Sequence, residues 1–283
     1  VSVTGSDNND GSAGSPFATI QKGIDTSIGG DTVLVGPGTY GEAIWFLGKR
    51  IVVMSTGGAA STVILHNYTP LVNFGHQEDS GSVLRGFTLT TPDGGGGTGI
   101  SVSNYANPTL QDLVIHHMNT AINIGYLPLP ATISISNVTL SDLQHGIMMN
   151  NTASVILTNS IIWTSSTSPI HLGDGQAQIS ITYSDILGGV TNISGSGTAT
   201  WGTGNITSGP LFCDASSGDY TLASNSPAAG TGESGANIGA LGVVCGSMVD
   251  DTYWGPFYVS VTGSDNNDGS AGSPFATIQK GID

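Results

Sequence analysis

Positive charge is what this sequence has least of. Its 283 residues contain only five Lys and Arg against 20 Asp and Glu, for a formal net charge of −15. A surface with so few cations cannot neutralise a run of phosphates, so we expect no nucleic-acid partner. The same shortage argues against binding to an anionic membrane surface.

Long apolar runs are also missing. No stretch approaches the roughly 20 apolar residues that a membrane-spanning helix needs. The chain opens on Val1 without a basic and apolar leader, although a removed or distant signal peptide stays open. We therefore expect no membrane segment in this sequence.

Charged residues of either sign are scarce, at 9%, whereas Gly occurs 43 times. Disordered chains combine low hydrophobicity with high charge, and this chain has 38% hydrophobic residues. Abundant Gly among Ser, Thr and Asn indicates many short strands joined by tight turns. The length suits one large all-β domain or two ordinary domains.

Only two cysteines are present, Cys213 and Cys245. A disulfide between them would fit an oxidising, extracellular compartment. Two unrelated buried thiols are the alternative reading. The segment between them has little strand character, so a covalent link would help to hold it.

One stretch is present twice. Residues 1–25 and 259–283 both read VSVTGSDNNDGSAGSPFATIQKGID, at an offset of 258 residues. An identical copy that ends inside its pattern at Asp283 is expected of one complete unit followed by the next. We expect a module in residues 1–250, a linker in 251–258 and the start of an identical module in 259–283.

The first 30 residues are typical of a cap. Residues 1–4 alternate as a strand does, residues 5–14 form a loop, and Ser15 and Pro16 suit a helix start. The apolar side chains of one helix face are Phe17, Ile20, Ile24 and Ile28. One amphipathic helix ahead of an all-β chain is expected to cover the open end of a solenoid.

Two ladders of apolar residues follow the cap. The first consists of Leu89, Ile115, Leu140, Ile162 and Ile186, spaced 26, 25, 22 and 24 residues apart. The second consists of Ile100, Ile122, Ile147 and Ile170, spaced 22, 25 and 23 apart. A period of about 20–29 residues is typical of a leucine-rich horseshoe or a β-solenoid. No helical pattern separates the ladders, so we predict a parallel β-helix.

The corners of this β-helix can be placed inside the first ladder. The corner residues are Gly86, Asp112, Asn137, Asn159 and Tyr183. Gly, Asn and Asp tolerate the left-handed backbone that such a corner requires. With coils ~4.8 Å apart, roughly ten coils would form a rod of about 45–50 Å.

Both ends of the unit resemble a known family. The opening, with DTVLVGPGTYGE and IVVMS after it, resembles the start of secreted bacterial right-handed parallel β-helix proteins of the pectate-lyase-like superfamily. GNITSGPLFCDASSGDYTLASNSPAAG and NIGALGVVCG resemble the closing segment of its large surface-displayed members. The resemblance implies right-handed coils, an extracellular or cell-surface location and a disulfide between Cys213 and Cys245. In catalytic relatives it implies acidic polysaccharide substrates.

The residues for such catalysis are sparse. Catalytic relatives use Arg or Lys as a base, often beside Ca²⁺ held by acidic residues. The cations of the unit are Lys22, Lys49, Arg50 and Arg85, without clustered acidic neighbours in the sequence. β-Helix glycosidases need carboxylates on adjacent coils, and Asp112 and Asp142 are the candidates. We expect no catalytic residue and no cofactor.

Metal binding has two weak candidates. Residues 7–12 carry closely spaced oxygen atoms, as calcium loops do, but lack the bidentate Glu of an EF-hand. A turn stabilised by its own Asx hydrogen bonds is the commoner structure. His116 and His117 would point to opposite faces of a strand. We expect no metal site, with calcium at Asp7 and Asp10 as the alternative.

The expected function is structural. We expect a repeat unit of an extracellular or cell-surface filament, whose partner is the next copy of itself, because solenoid ends invite pairing and open head-to-tail contacts give filaments. Covalent tandem repeats are favoured over separate subunits. The second copy should adopt the conformation of the first and pack on the preceding unit. The alternative is a β-helix that binds or degrades polysaccharide.

Overall fold

The protein is a right-handed parallel β-solenoid of about eight turns. The computed structural model describes residues 1–92, 96–125, 131–150, 152–166, 168–248, 258–267 and 273–281. Each turn contributes short strands to three sheets, which enclose one apolar core. The predicted all-β, right-handed parallel β-helix with one short helix near its N-terminus is confirmed.

The strands are numbered β1 to β25 in chain order. Sheet A contains β1 (Thr32–Val35), β4 (Val52–Ser55), β7 (Val83–Arg85), β10 (Thr109–Gln111), β13 (Thr132–Ser136), β16 (Ser154–Thr158), β19 (Gln178–Thr182) and β22 (Thr198–Trp201). Sheet B contains β2 (Gly38–Tyr40), β5 (Thr62–Leu65), β8 (Thr88–Thr90), β11 (Val114–Ile115), β14 (Thr139–Ser141), β17 (Ile161–Trp163) and β20 (Asp185–Ile186).

The third sheet completes each turn of the solenoid. Sheet C contains β3 (Ile44–Trp45), β6 (Val72–Phe74), β9 (Thr98–Val102), β12 (Met118–Ile124), β15 (Leu143–Met149), β18 (Ile170–Leu172) and β21 (Ile193–Gly195). A small separate sheet D contains β23 (Phe212–Asp214), β24 (Asp219–Ala223) and β25 (Val243–Cys245). Helix α1 is Ile20–Thr26, and 3₁₀ turns lie at Gly189–Asn192, Ala215–Ser217, Glu233–Gly235 and Gln279–Gly281.

The apolar ladders predicted from the sequence are pairs in register. Ile122 pairs with Ile100 on one side and with Ile147 on the other, and all three are completely buried. Ile115 pairs likewise with Leu89 and Leu140. The period of about 24 residues therefore sets the coil, because each turn must return an apolar side chain to the same place in the core.

All five predicted corner residues have a left-handed backbone. Their φ angles are 80° at Gly86, 54° at Asp112, 54° at Asn137, 51° at Asn159 and 49° at Tyr183. Two of them also bond along the axis, since Asn137 Nδ2 donates to Asp112 Oδ1 at 3.0 Å. The corner column is thus a structural feature of sheet A and sheet B, which meet there.

The prediction of roughly ten coils is wrong. The solenoid has about eight turns, because the chain leaves the coil after β22. Residues 205–248, which we call the flap, instead carry sheet D. At ~4.8 Å per coil, the rod is about 38 Å long rather than 45–50 Å.

The flap packs on the outer face of sheet B. Tyr220 of β24 is buried with Val114 of β11, and Leu222 is buried with Ile161 of β17. A disulfide joins Cys213 in β23 to Cys245 in β25, which confirms the predicted pair. The flap therefore covers apolar positions that a bare solenoid would expose to water.

The N-terminal strand and helix start differ from their predictions. Residues 1–4 form no strand; the N–H of Gly5 instead donates to the carbonyl of Ser2 at 2.8 Å, which closes a turn. Helix α1 begins at Ile20 with Thr19 as its N-cap, rather than at Ser15 and Pro16. The predicted linker, residues 251–258, lies outside the described residues except for its last. No helix among the described residues is long and apolar enough to cross a membrane.

Candidate functional site

The N-terminal end of the solenoid holds helix α1 at a surface that we call the cap site. The cap site consists of Val33, Glu42, Ile44, Trp45 and Lys49. Ile20 and Ile24 of the helix are completely buried there. Gly23 permits the close approach, because a Cβ at this position would lie 2.7 Å from Val33 Cγ1.

Two charged side chains of the cap site hold the two ends of the helix. The Glu42 carboxylate accepts the N–H groups of Ile20 at 2.6 Å and Gln21 at 3.0 Å, which have no partner within the helix. Lys49 Nζ donates to the carbonyls of Ile24 at 2.7 Å, Asp25 at 2.8 Å and Ser27 at 2.9 Å. A helix of seven residues is not stable alone in water, so the solenoid supplies what the helix lacks.

Burial at the cap site also changes the protonation of its carboxylate. Desolvation raises the pKa of Glu42, and the two helix N–H groups oppose that rise because they favour the charged form. A carboxylate at a helix N-terminus is further stabilised by the helix dipole. Docking of the helix thus stabilises the charged form of a side chain that the solenoid already half-buries.

The first copy, residues 1–25, has a local fold of its own ahead of the helix. Asp7 is its centre, because its carboxylate accepts the N–H groups of Ala18 at 2.9 Å and Thr19 at 3.0 Å and the hydroxyl of Thr19 at 2.8 Å. The N–H of Ser2 donates to the carbonyl of Phe17 at 2.9 Å. Asp10 accepts from the N–H of Ser12 at 2.9 Å. The two carboxylates proposed for calcium thus cap their own loop.

The second copy, residues 259–283, repeats this local fold in its described part. Asp265 accepts the N–H groups of Ala276 at 2.9 Å and Thr277 at 2.8 Å and the Thr277 hydroxyl at 2.9 Å. The N–H of Ser260 donates to the carbonyl of Phe275 at 2.9 Å. The same bonds form twice because they depend only on residues inside the repeated stretch.

Burial distinguishes the two copies. Ile20 is 0% exposed, whereas its counterpart Ile278 is 71% exposed. Val3 is 50% exposed and its counterpart Val261 is 102% exposed. The sequence does not repeat the cap-site residues after the second copy, so this apolar surface has no counterpart cap site after it. These exposures do not support the expected packing on the preceding unit.

The residue before the second copy belongs to its fold. The N–H of Phe275 donates to the carbonyl of Tyr258 at 2.9 Å, and Val259 forms a bridge with Phe275. The repeated structure therefore extends one residue ahead of the repeated sequence. Tyr258 connects residues 1–257 to the second copy through a hydrogen bond as well as through the chain.

The cations proposed as catalytic bases make structural contacts. Arg85 Nε lies 2.6 Å from Asp112 Oδ2, and Arg50 Nε lies 3.4 Å from Asp79. Lys22 Nζ lies 5.8 Å from the Phe17 ring centre, and Lys49 holds the helix. Among the cations of residues 1–248, each one thus has a partner within the fold.

The two candidate carboxylates are not brought together. Asp112 lies at the corner between sheets A and B, where Arg85 and Asn137 bind it. Asp142 lies between sheets B and C, directly after β14. The stacked pair that a glycosidase would need is therefore not formed by Asp112 and Asp142.

A histidine cluster at the second corner was not predicted. His117 Nδ1 lies 3.2 Å from His116 Nδ1 and 3.1 Å from Asp142 Oδ2. The prediction that the two rings point apart is wrong, because the backbone turns at His117 with φ 57°. Burial lowers the pKa of His116 to about 4. Trp163 and Tyr220 line a cleft of about 420 Å³ beside this cluster.

The cluster is not arranged as a metal centre. Within the described residues, no group of three or more His, Cys, Asp or Glu side chains is placed to hold a metal ion. His116 is covered by the flap, since its ring centre lies 5.0 Å from that of Tyr220. One signal for the cluster exists in the sequence: His117 and Asp142 occupy the same position in successive coils.

A second buried titratable group lies under the flap. Asp185 of β20 is 0% exposed, and neither of its carboxyl oxygens has a hydrogen-bond partner. Burial raises its pKa to about 8, and the backbone of Ser208 opposes this rise only in part. Asp185 pairs with Ile161 on one side and bridges to Ile206 of the flap on the other.

Comparison with known proteins adds one finding at the N-terminal end. Residues 3–45 match the family model described as "Protein of unknown function (DUF1565)". That family is associated with parallel β-helix proteins. The match spans the first copy, helix α1 and the first two residues of β3, and covers less than a sixth of the chain. No curated protein matches the sequence.

Proposed function

We propose that this chain is a structural, non-catalytic repeat module of an extracellular or cell-surface filament, in which β-helix modules join head to tail. One observation carries the proposal. The second copy has the local fold of the first, yet Ile278 is 71% exposed where Ile20 is completely buried. Such a surface is expected of a segment that belongs to the cap of a further module.

The shape of the module agrees with this role. The coils stack along one axis, so another module can be added at either end without changing the coils in between. The disulfide Cys213–Cys245 fits an oxidising compartment outside the cell. We favour modules joined covalently in tandem, because Tyr258 already pairs with the second copy.

Material from the natural source tests this proposal. After boiling and reduction, a denaturing gel is expected to show species far larger than 28.6 kDa. Electron microscopy of the same material is expected to show filaments with a regular axial period. A single band near 28.6 kDa, together with turnover of a uronate polymer, would contradict it.

A second candidate function rests on the cleft beside His117. An aromatic ring and a few polar groups in one cleft are typical of small-ligand sites, and Trp163 and Asp142 provide both there. Weak polysaccharide binding would use this cleft. Affinity electrophoresis in gels that contain a neutral or an acidic polysaccharide tests it, with Trp163→Ala expected to abolish any retardation. Unchanged mobility of the natural sequence removes this candidate.

A further inference from the structure

The contacts at the cap site show what a ligand of this surface must provide. Besides the two ends of the helix, the cap site reads Gln21: its Nε2 donates to the carbonyl of Trp45 at 3.3 Å, and its Oε1 accepts the Trp45 N–H at 2.8 Å. Ile20 fills the apolar part of the surface beside Glu42. A ligand thus needs an apolar side chain followed by an amide side chain at the start of a helical turn.

The second copy provides these groups in the same order. Ile278 and Gln279 follow Thr277, whose hydroxyl accepts the N–H of Lys280 at 3.2 Å, as Thr19 accepts that of Lys22 at 3.2 Å. The turn that presents the ligand is therefore already formed. Ile278 is exposed in it, so no internal contact has to break before this side chain can dock.

We infer that the second copy of one chain can occupy the cap site of a second copy of this chain, in place of that chain's residues 1–25. The inference rests on the proposed head-to-tail function and names the surface through which it acts. The docking residues are those of the described part, residues 258–267 and 273–281. The receiving residues are Val33, Glu42, Ile44, Trp45 and Lys49.

The cap site fixes both the orientation and the identity of its ligand. Glu42 accepts only N–H groups, and Lys49 donates only to carbonyls, so the helical turn must point its N-terminus at Glu42. Gly23 fits against Val33 where any larger residue would collide, and Gly281 stands at the matching place in the second copy. A partner other than this repeated segment would need the same apolar, amide and glycine pattern.

The first copy competes for the same surface and has an advantage. Both segments offer identical contacts, but the first copy is tethered beside the cap site and acts at a high effective concentration. An intact chain should therefore stay closed on itself and be mostly monomeric at micromolar concentration. Exchange between chains should become dominant once the first copy is weakened and the second is left intact.

Three variants of the full chain test this inference. Ile20→Asp places a carboxylate beside Glu42 and weakens the first copy; we expect it to form oligomers whose mass, measured by light scattering after gel filtration, grows with concentration. Ile278→Asp alone should stay monomeric, as the intact chain does. The double variant Ile20→Asp/Ile278→Asp should lose the oligomers, because neither copy can then dock.

Ile28→Asp is the matched control. Ile28 is 72% exposed, close to the 71% of Ile278, and follows helix α1 rather than lying in it. It should leave the mass unchanged. If Ile20→Asp does not fold, as judged by circular dichroism, the milder Ile20→Ala takes its place in both the single and the double variant.

Two results would overturn the inference: a folded Ile20 variant that stays monomeric, or oligomers that form equally well in the double variant. The second result would mean that an exposed core, rather than the second copy, drives association. Either result leaves the covalent array untouched, since its test is the size of the natural material after boiling. Small reduced natural material would instead count against the proposed function while leaving exchange between chains intact.

Discussion

Two buried titratable residues, Asp185 and His116, lie where the flap meets the solenoid. The folded pKa of Asp185 is raised from 3.8 to about 8, so its stabilising effect is present at acidic pH and is lost as the pH rises to 8. The folded pKa of His116 is lowered from 6.5 to about 4, so its stabilising effect is present above pH 6.5 and is lost as the pH falls toward 4. The two slopes oppose each other below pH 6.5, and only Asp185 acts above it.

The first prediction concerns Asp185→Asn. Between pH 6.5 and 8 the free energy of unfolding of the natural sequence should fall by up to ~1.4 kcal/mol per pH unit on account of Asp185, because unfolding releases its proton. The variant keeps a neutral group in the same place and should lose this slope. Urea unfolding across the window measures it, with the exposed flap residue in Glu233→Gln as control. An unchanged slope in Asp185→Asn would contradict the prediction.

The second prediction concerns the corner at Asn137, where φ is 54°. Asn137→Ala should lower the free energy of unfolding by ~1–2 kcal/mol more than Asn137→Gly does, because a Cβ is strained in the left-handed backbone. Both variants lose the bond to Asp112, so their difference isolates the backbone. Urea midpoints at neutral pH provide the comparison; equal midpoints would show that the corner is not strained.

These residues differ in how far the sequence reveals them. The corners were predictable because Gly, Asp and Asn recur at one place in the period, and only the left-handed backbone explains that choice. Asp185 was not. It precedes a ladder residue, as Val114 and Ile161 do, and its burial depends on Ile206, which returns to it from the flap.

Helix α1 shows how tertiary contacts override a local signal. Ser15 and Pro16 are good residues for a helix start, yet the chain stays extended through Thr19. The cause is Asp7, which binds the N–H groups of Ala18 and Thr19 from 11 and 12 residues away. The sequence therefore predicts the existence of the helix and its buried face, through Ile20 and Ile24, but not where it begins.

The third prediction tests how the solenoid holds this helix. Lys49→Met removes three hydrogen bonds to the carbonyls at the end of the helix and should destabilise the protein by ~1–3 kcal/mol, since those carbonyls lose a charged donor. Arg50→Met is the neighbouring control. Arg50 is 69% exposed and its partner Asp79 is 52% exposed, so this change should have little effect. Thermal unfolding of both variants measures the difference, and equal effects would argue against the role of Lys49.

Across the whole molecule, the repetitive part was predictable and the flap was not. Each coil repeats the apolar position of the previous one, so Ile100, Ile122 and Ile147 announce the fold in the sequence itself. The flap has no such period, and its place on sheet B depends on single contacts such as Asn159 Oδ1, which accepts the N–H of Glu233 at 2.7 Å. The cap site lies between these cases: its helix was predicted, whereas Glu42 and Lys49 were recognised only in the structure.

The disulfide gives the fourth prediction, which concerns tension. The hydrogen bonds between coils run along the rod, so a force on the two ends of a module opens the coils one after another. The 32 residues that separate Cys213 from Cys245 cannot take part, because the disulfide bypasses them. At ~3.4 Å per extended residue, reduction should add about 110 Å to the fully stretched length. Single-molecule pulling with and without reductant measures this increment, and equal lengths would contradict it.

A filament of such modules would hold that length in reserve. Under oxidising conditions it would be short and stiff, and each reduced module would contribute slack without breaking the chain. The pair Cys213–Cys245 would thus set how far a tether can stretch before it fails, a mechanical property that the chemistry of the surroundings could adjust.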